Sequence, residues 1–271
     1  MPPKEELWID NHENGSEHKD TNDHTYTQSI FESLQRPETL SKYTEKLEKE
    51  ISQVISEIFS IEEISNDLWL KWGIISKIYW LDRPSTDIDI NIINLANEKA
   101  IAQRVKDFLQ EKGEIKKELI WDLLYRWVLY IPDEDTYIHI KIDLNKLNRK
   151  SDKYDFIEIN WVKVRSMTKD CVFANKLVAL SERFKDTDLY DVNFFLKNNF
   201  PISKDIIIER TGKELEDFIT DLINELQAYY PGTLIAWMSK PFQDRQRKWD
   251  DNMQLMKETI SLLENLKDSL K

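Results

Sequence analysis

The sequence predicts an α/β N-terminal half followed by an all-helical C-terminal half, divided near residue 166. Three observations carry this. Apolar residues recur at three- and four-residue steps over 38–60 and 95–112, the spacing of one helix face. Two stretches, Thr86–Asn91 and Thr136–Leu144, alternate strictly between apolar and polar residues, as half-buried strands do. From Thr168 onward helical spacing continues to the end, interrupted at Asn198–Pro201 and Tyr230–Gly232.

Residues 1–27 are poor in apolar residues and show no periodicity, so a disordered or extended lead is expected there. His12, His18 and His24 fall in it at six-residue steps, read here as a His-rich tail. Domains are expected over 28–166 and 167–271. Pro37 opens a helix whose stripe is Leu40, Tyr43, Leu47, Ile51, Val54, Ile55 and Ile58. Leu68–Leu81 fits a short strand followed by a helix from about Gly73. Gly113 is placed to cap the helix over 95–112. Residues 114–164 are rich in β-branched and aromatic side chains and predict strands, with the aromatics of 120–130 as core. Thr168 is positioned to cap the helix running to about Phe184.

Composition narrows the function. A net charge of −12 with a pI near 5.0 argues against a broadly basic nucleic-acid surface. Five glycines, with no GxGxxG or GxxxxGK[ST], exclude the usual phosphate loops. The single cysteine, Cys171, rules out an intrachain disulfide and a cysteine zinc site, and its apolar setting reads as core. No apolar run could span a membrane and no secretory signal is visible, so a cytoplasmic protein is expected.

Chemistry concentrates in carboxylates. Asp87 and Asp89, two apart on one strand, share a face, and Asp143 has matching parity on another strand. Three carboxylates facing one way form a hard-oxygen set for Mg²⁺ or Mn²⁺, suited to phosphoryl or nucleotidyl transfer. By spacing alone, Asp-x-Asp is equally the polar side of a half-exposed strand.

The segment Gly73-Ile-Ile-Ser76-Lys-Ile-Tyr-Trp-Leu-Asp-Arg83-Pro-Ser-Thr-Asp87-Ile-Asp89 resembles the first motif of the AbiEii/AbiGii-type nucleotidyltransferase toxins. A longer match follows. Ala174-Asn-Lys176-Leu-Val-Ala-Leu-Ser-Glu-Arg183, continued by Asp188-Leu-Tyr-Asp191, is similar to that family's later helix–turn–helix. The resemblance spans roughly 60–200. It implies a nucleotidyltransferase-type mixed sheet with flanking helices and a C-terminal helical bundle. Asp87 and Asp89 would then hold the metal with Asp143 as the third carboxylate. Gly73, Ser76 and Arg83 would seat the nucleotide, with Lys176 reaching its phosphates and Arg183 beside it. Asp188 and Asp191 would order the next helix.

The implied activity is metal-dependent transfer from GTP or another nucleoside triphosphate to an RNA, such as a tRNA end, or to a protein. The implied setting is the toxin of a toxin–antitoxin or abortive-infection pair, with a cognate antitoxin as partner. Two positions depart from the pattern: Trp72-Gly73-Ile74 replaces the usual Gly-Gly-Ser/Thr, and Thr187 replaces a basic residue. They motivate a second expectation, a weakened site serving as a nucleotide-binding or protein-interaction module. Basic residues over Lys141–Lys169, and Arg245, Arg247 and Lys248 beside Trp249, offer seats for an RNA end.

Overall fold

A computed structural model describes residues 37–71, 87–133, 136–228 and 242–270. The chain divides at Lys46, and helix α1 (Pro37–Ile58), which begins at the predicted proline, has most of its length in the second unit. There follow α2 (Glu62–Ser65), β1 (Leu68–Leu70), β2 (Asp87–Ile92), α3 (Glu98–Lys112), β3 (Glu114–Trp121), β4 (Leu124–Asp133), β5 (Thr136–Asn145), β6 (Tyr154–Ile159) and β7 (Val162–Met167). The helices α4 (Lys169–Arg183), α5 (Asp186–Lys197), α6 (Lys204–Thr211), α7 (Leu215–Ala228) and α8 (Phe242–Leu270) complete the chain. The expected lead over 1–27 and the expected helix from Gly73 lie outside the described residues.

The seven strands form one mixed sheet in the order β3-β4-β5-β2-β1-β7-β6. β2 and β5 run parallel, as do β1 and β7; the other neighbours are antiparallel. Register follows hydrophobic alternation. Ile88, Ile90, Ile140, Ile142, Leu144, Trp127 and Leu129 share one buried face through pairs such as Ile88↔Ile142 and Ile142↔Trp127. The stripes of α1 (Leu47, Ile51, Val54, Ile55) and α3 (Ile101, Val105, Leu109) are buried too, and Lys112 of α3 reaches Glu57 of α1 at 2.5 Å. Each such aliphatic side chain contributes about 1.5–3 kcal/mol when fully buried.

Helix α4 is buried from Cys171 to Leu180, the property of a helix enclosed on all sides. It packs on α5 and α6, while α8 packs on α5 and α7. Phe173, Phe195 and Phe200 link α4 to α5 and the loop beyond it, with ring centroids 5.4 and 4.9 Å apart. Cys171 is core, as expected, and burial raises its thiol pKa. Among the described residues no helix is long and apolar enough to cross a membrane.

One local reading is sharpened and one corrected. Gly113 is the C-cap of α3, its amide donating to the Leu109 carbonyl at 3.1 Å, but its φ of −179° is extended and not left-handed. Space is what demands glycine there: a Cβ would sit 2.3 Å from the Tyr130 carbonyl oxygen on β4. Gly113→Ala therefore has to push the β3–β4 backbone apart, and we expect a loss of about 1–3 kcal/mol in urea unfolding. The aromatics of 120–130 divide, too. Trp127 and Tyr125 are buried, whereas Ile120, Trp121 and Leu123 at the β3–β4 hairpin tip stand exposed.

Candidate active site

The sheet face opposite the aliphatic core carries the polar half of each alternating strand. On β2 these are Asp87, Asp89 and Asn91; on β5, Lys141, Asp143 and Asn145. Parallel pairing sets Asp87 beside Lys141 and Asp89 beside Asp143. On β4, Arg126 lies opposite Asp143. One row across three strands is thus Arg126–Asp143–Asp89. It continues toward β1, where the Lys71 amide donates to the Asp89 carbonyl at 2.7 Å. The parity deduced for Asp87, Asp89 and Asp143 is what the register delivers.

Cations hold these carboxylates in place. The Arg126 guanidinium grips Asp143 as a fork, Nε to Oδ1 and a terminal nitrogen to Oδ2, both at 2.7 Å. Lys141 donates its ammonium to Asp87 and lies 4.0 Å from Asp143. Asp89 is pushed up to about 6, chiefly by burial and then by the charges of Asp143 and Asp87. Burial likewise lowers the Lys71 pKa, against the pull of Asp152 and Asp89. Asn91, fully buried, donates to the Leu147 carbonyl at 2.8 Å and to Asn148 at 3.2 Å, anchoring the loop that follows β5.

The donor chemistry fits a divalent cation: three hard carboxylates converge on one face. Their present arrangement fits it only in part. Among the described residues no group of three or more His, Cys, Asp or Glu side chains stands ready to hold an ion. Asp143 is taken by Arg126, leaving Asp87 and Asp89 as the pair that would receive one.

The second predicted cluster sits within the helices. Lys176 is enclosed with its ammonium 3.1 Å from Asp188 and 2.7 Å from Asp191, both carboxylates fully buried. Arg183 adds a fork to Asp188 at 2.5 and 2.8 Å from a more exposed position. Burial alone would raise the Asp188 pKa; Arg183 and Lys176 more than offset it and hold it below the usual value. Phe184, left-handed at φ 45°, makes the tight exit from α4 that brings Asp188 under Arg183. These ion pairs tie α4 to α5. Lys176 is enclosed between them and is not presented outward. Gly73, Ser76 and Arg83 lie outside the described residues, as does the side-chain environment of Arg245–Trp249.

Sequence reasoning missed Arg126, whose only signal was its place in the alternating Leu124–Tyr130 stretch. The β6–β7 hairpin lies within the strand-like 114–164 and basic Lys141–Lys169 stretches, but its turn and its aromatic–cation pairing were missed. Tyr154 and Phe156 are exposed there, with the Arg165 guanidinium 4.8 and 5.6 Å from their rings and the Lys163 ammonium 4.2 Å from Phe156. Arg165 makes no ion pair among the described residues; it donates to the Asn66 carbonyl at 2.6 Å. At the tip, Asn160 and Trp161 both have positive φ, and Trp161 is 93% exposed.

No protein-family model matches the sequence, and no curated protein does. Among solved structures the chain is similar to JHP933 from Helicobacter pylori, with a TM-score of 0.54, 16% identity, and 84% of this chain and 94% of that one covered. It is equally similar to a proposed nucleotidyltransferase from H. pylori, with a TM-score of 0.53, 16% identity, and 84% and 96% covered. The mixed seven-stranded sheet with its C-terminal helices is a nucleotidyltransferase-like fold.

Proposed function

We propose that this protein is a metal-dependent nucleotidyltransferase of the AbiEii/AbiGii type. It would move a nucleotide from GTP or another nucleoside triphosphate to an RNA, such as a tRNA end, or to a protein. Its place would be the toxin half of a toxin–antitoxin or abortive-infection pair. The observation that carries this reading is the Asp89↔Asp143 register, which sets three carboxylates on one face of a nucleotidyltransferase-like sheet. Mg²⁺ or Mn²⁺ held by Asp87 and Asp89 would supply charge neutralisation for a transferring phosphoryl group. Lys141 pairs with Asp87 and lies 4.0 Å from Asp143, offsetting part of the repulsion among the carboxylates. The exposed aromatic and cationic strip of β6–β7 supports an RNA acceptor, because bases stack on such rings and phosphates pair with such cations.

One observation favours a second reading: the Arg126 fork that occupies Asp143 suits a weakened site acting as a nucleotide-binding or protein-interaction module. Both are tested by supplying purified protein, Mg²⁺ or Mn²⁺, each triphosphate labelled on its α-phosphate, and cellular RNA and protein. The enzyme reading expects label on one acceptor class and none with Asp87→Ala. Absence of both labelling and triphosphate binding would sink it. Growth inhibition that survives loss of Asp87 and Asp89 together would favour the second.

A further inference from the structure

The third carboxylate of the site already has a cation, and the chain itself supplies it. Arg126 takes both oxygens of Asp143 in a planar fork, the geometry in which guanidinium and carboxylate bind most strongly. Asp143 is 8% exposed at its side chain and Arg126 28%, so the carboxylate is covered while the guanidinium keeps a way out. The other side of Arg126 rests on Trp121, its guanidinium carbon 5.3 Å from the indole centroid. Trp121 sits at the β3–β4 hairpin tip and is 48% exposed. Arg126 pairs with Asp143 and Lys141 with Asp87, so part of the carboxylate charge is already offset. A divalent ion gains less from carboxylates that already have cations.

We infer that Arg126 is a built-in cation that holds Asp143 in place of a divalent ion, with Trp121 as the positioning residue that keeps it there. The inference rests on the reading of Asp87, Asp89 and Asp143 as the ion site and adds its regulation. The site offers three carboxylates only once Arg126 leaves. A phosphate-bearing ligand is the class that would draw it off, because the same fork binds phosphate as it binds carboxylate.

The test is Mn²⁺ titration of the full chain without nucleotide, followed calorimetrically and by the spin-resonance signal of free Mn²⁺. Removing one positive charge a few ångströms from the ion should tighten binding by at least about tenfold in Arg126→Gln. Adding Asp143→Asn to that variant should return the affinity to within about twofold of the starting protein, since the gain requires Asp143. Trp121→Ala, which touches no carboxylate, should tighten binding about two- to fivefold. Unchanged or weaker Mn²⁺ binding by folded Arg126→Gln overturns the inference, as does a gain that persists without Asp143. If neither the starting protein nor Arg126→Gln binds Mn²⁺, it is overturned as well. Should Arg126→Gln fail to fold, Trp121→Ala decides alone, and unchanged affinity there overturns it. Failure of the enzyme reading would look different: no triphosphate labels any acceptor, while these Mn²⁺ differences persist.

Discussion

Lys176→Met is expected to lose about 3–5 kcal/mol of stability, because it leaves two buried carboxylates short of a cation. Asp188 and Asp191 have no exposed side-chain surface, and Lys176 itself is only 6% exposed. Arg183 remains on Asp188 but approaches it from the rim, with 44% of its side chain exposed. The junction of α4 and α5 should therefore loosen, lowering the urea midpoint with little change in slope. Lys176→Arg should recover part of the loss. The same cluster has an acid limb. The Asp188 pKa is depressed on folding, so its contribution is present above the unfolded value of 3.8 and fades as the pH falls below it. Triphosphate affinity, measured on the folded fraction of Lys176→Met, separates the two roles open to this lysine. An unchanged affinity assigns it to structure; a loss matching the family pattern assigns it to phosphate binding as well.

Asp89→Asn is expected to stabilise the protein near neutral pH while abolishing nucleotide labelling. The Asp89 carboxyl rises from 3.8 in the unfolded chain to about 6 in the fold, so the folded state binds its proton more tightly. Its contribution is favourable below the unfolded value and is lost as the pH rises through about 6. At pH 7.5 the charged form is held against burial and two neighbouring carboxylates, a cost of order 1–2 kcal/mol. Asparagine removes that charge and should raise Tm by roughly 2–8 °C at pH 7.5. At pH 4, where Asp89 is protonated in the fold, the difference should shrink to near zero. A variant no more stable than the parent at pH 7.5 would show that the cations around Asp89 already compensate its burial. Stability gained where activity is lost is the pattern of a functional site held against its own preference.

Much of this architecture was legible beforehand because its signals are local. Strict alternation identified Thr136–Leu144 within β5, and it set Asp87 and Asp89 on one face, since a strand's side-chain period needs no partner to be read. The α4 stripe and the stop at Asn198–Pro201 were equally visible, because helix faces and breakers are properties of short windows. The resemblance singled out Asp188 and Asp191, and both lie in an ion cluster with Lys176.

Other features involve residues far apart in sequence. Gly113 caps α3, as the sequence suggests, but what demands glycine there is not local. The Tyr130 carbonyl that excludes a Cβ belongs to the neighbouring strand. Trp121 and Trp127 have similar neighbourhoods in sequence, yet one lies at a hairpin tip and the other in the core.

By itself, the sequence determined which side chains share a strand or helix face, and hence that Asp87, Asp89 and Asp143 could meet. Only the tertiary structure decided that β2 and β5 are parallel neighbours, so that Asp89 stands beside Asp143. It also placed Arg126 across from Asp143, and enclosed Lys176 between Asp188 and Asp191. Periodicity is written along one chain segment, whereas electrostatic partners are chosen by the register between segments.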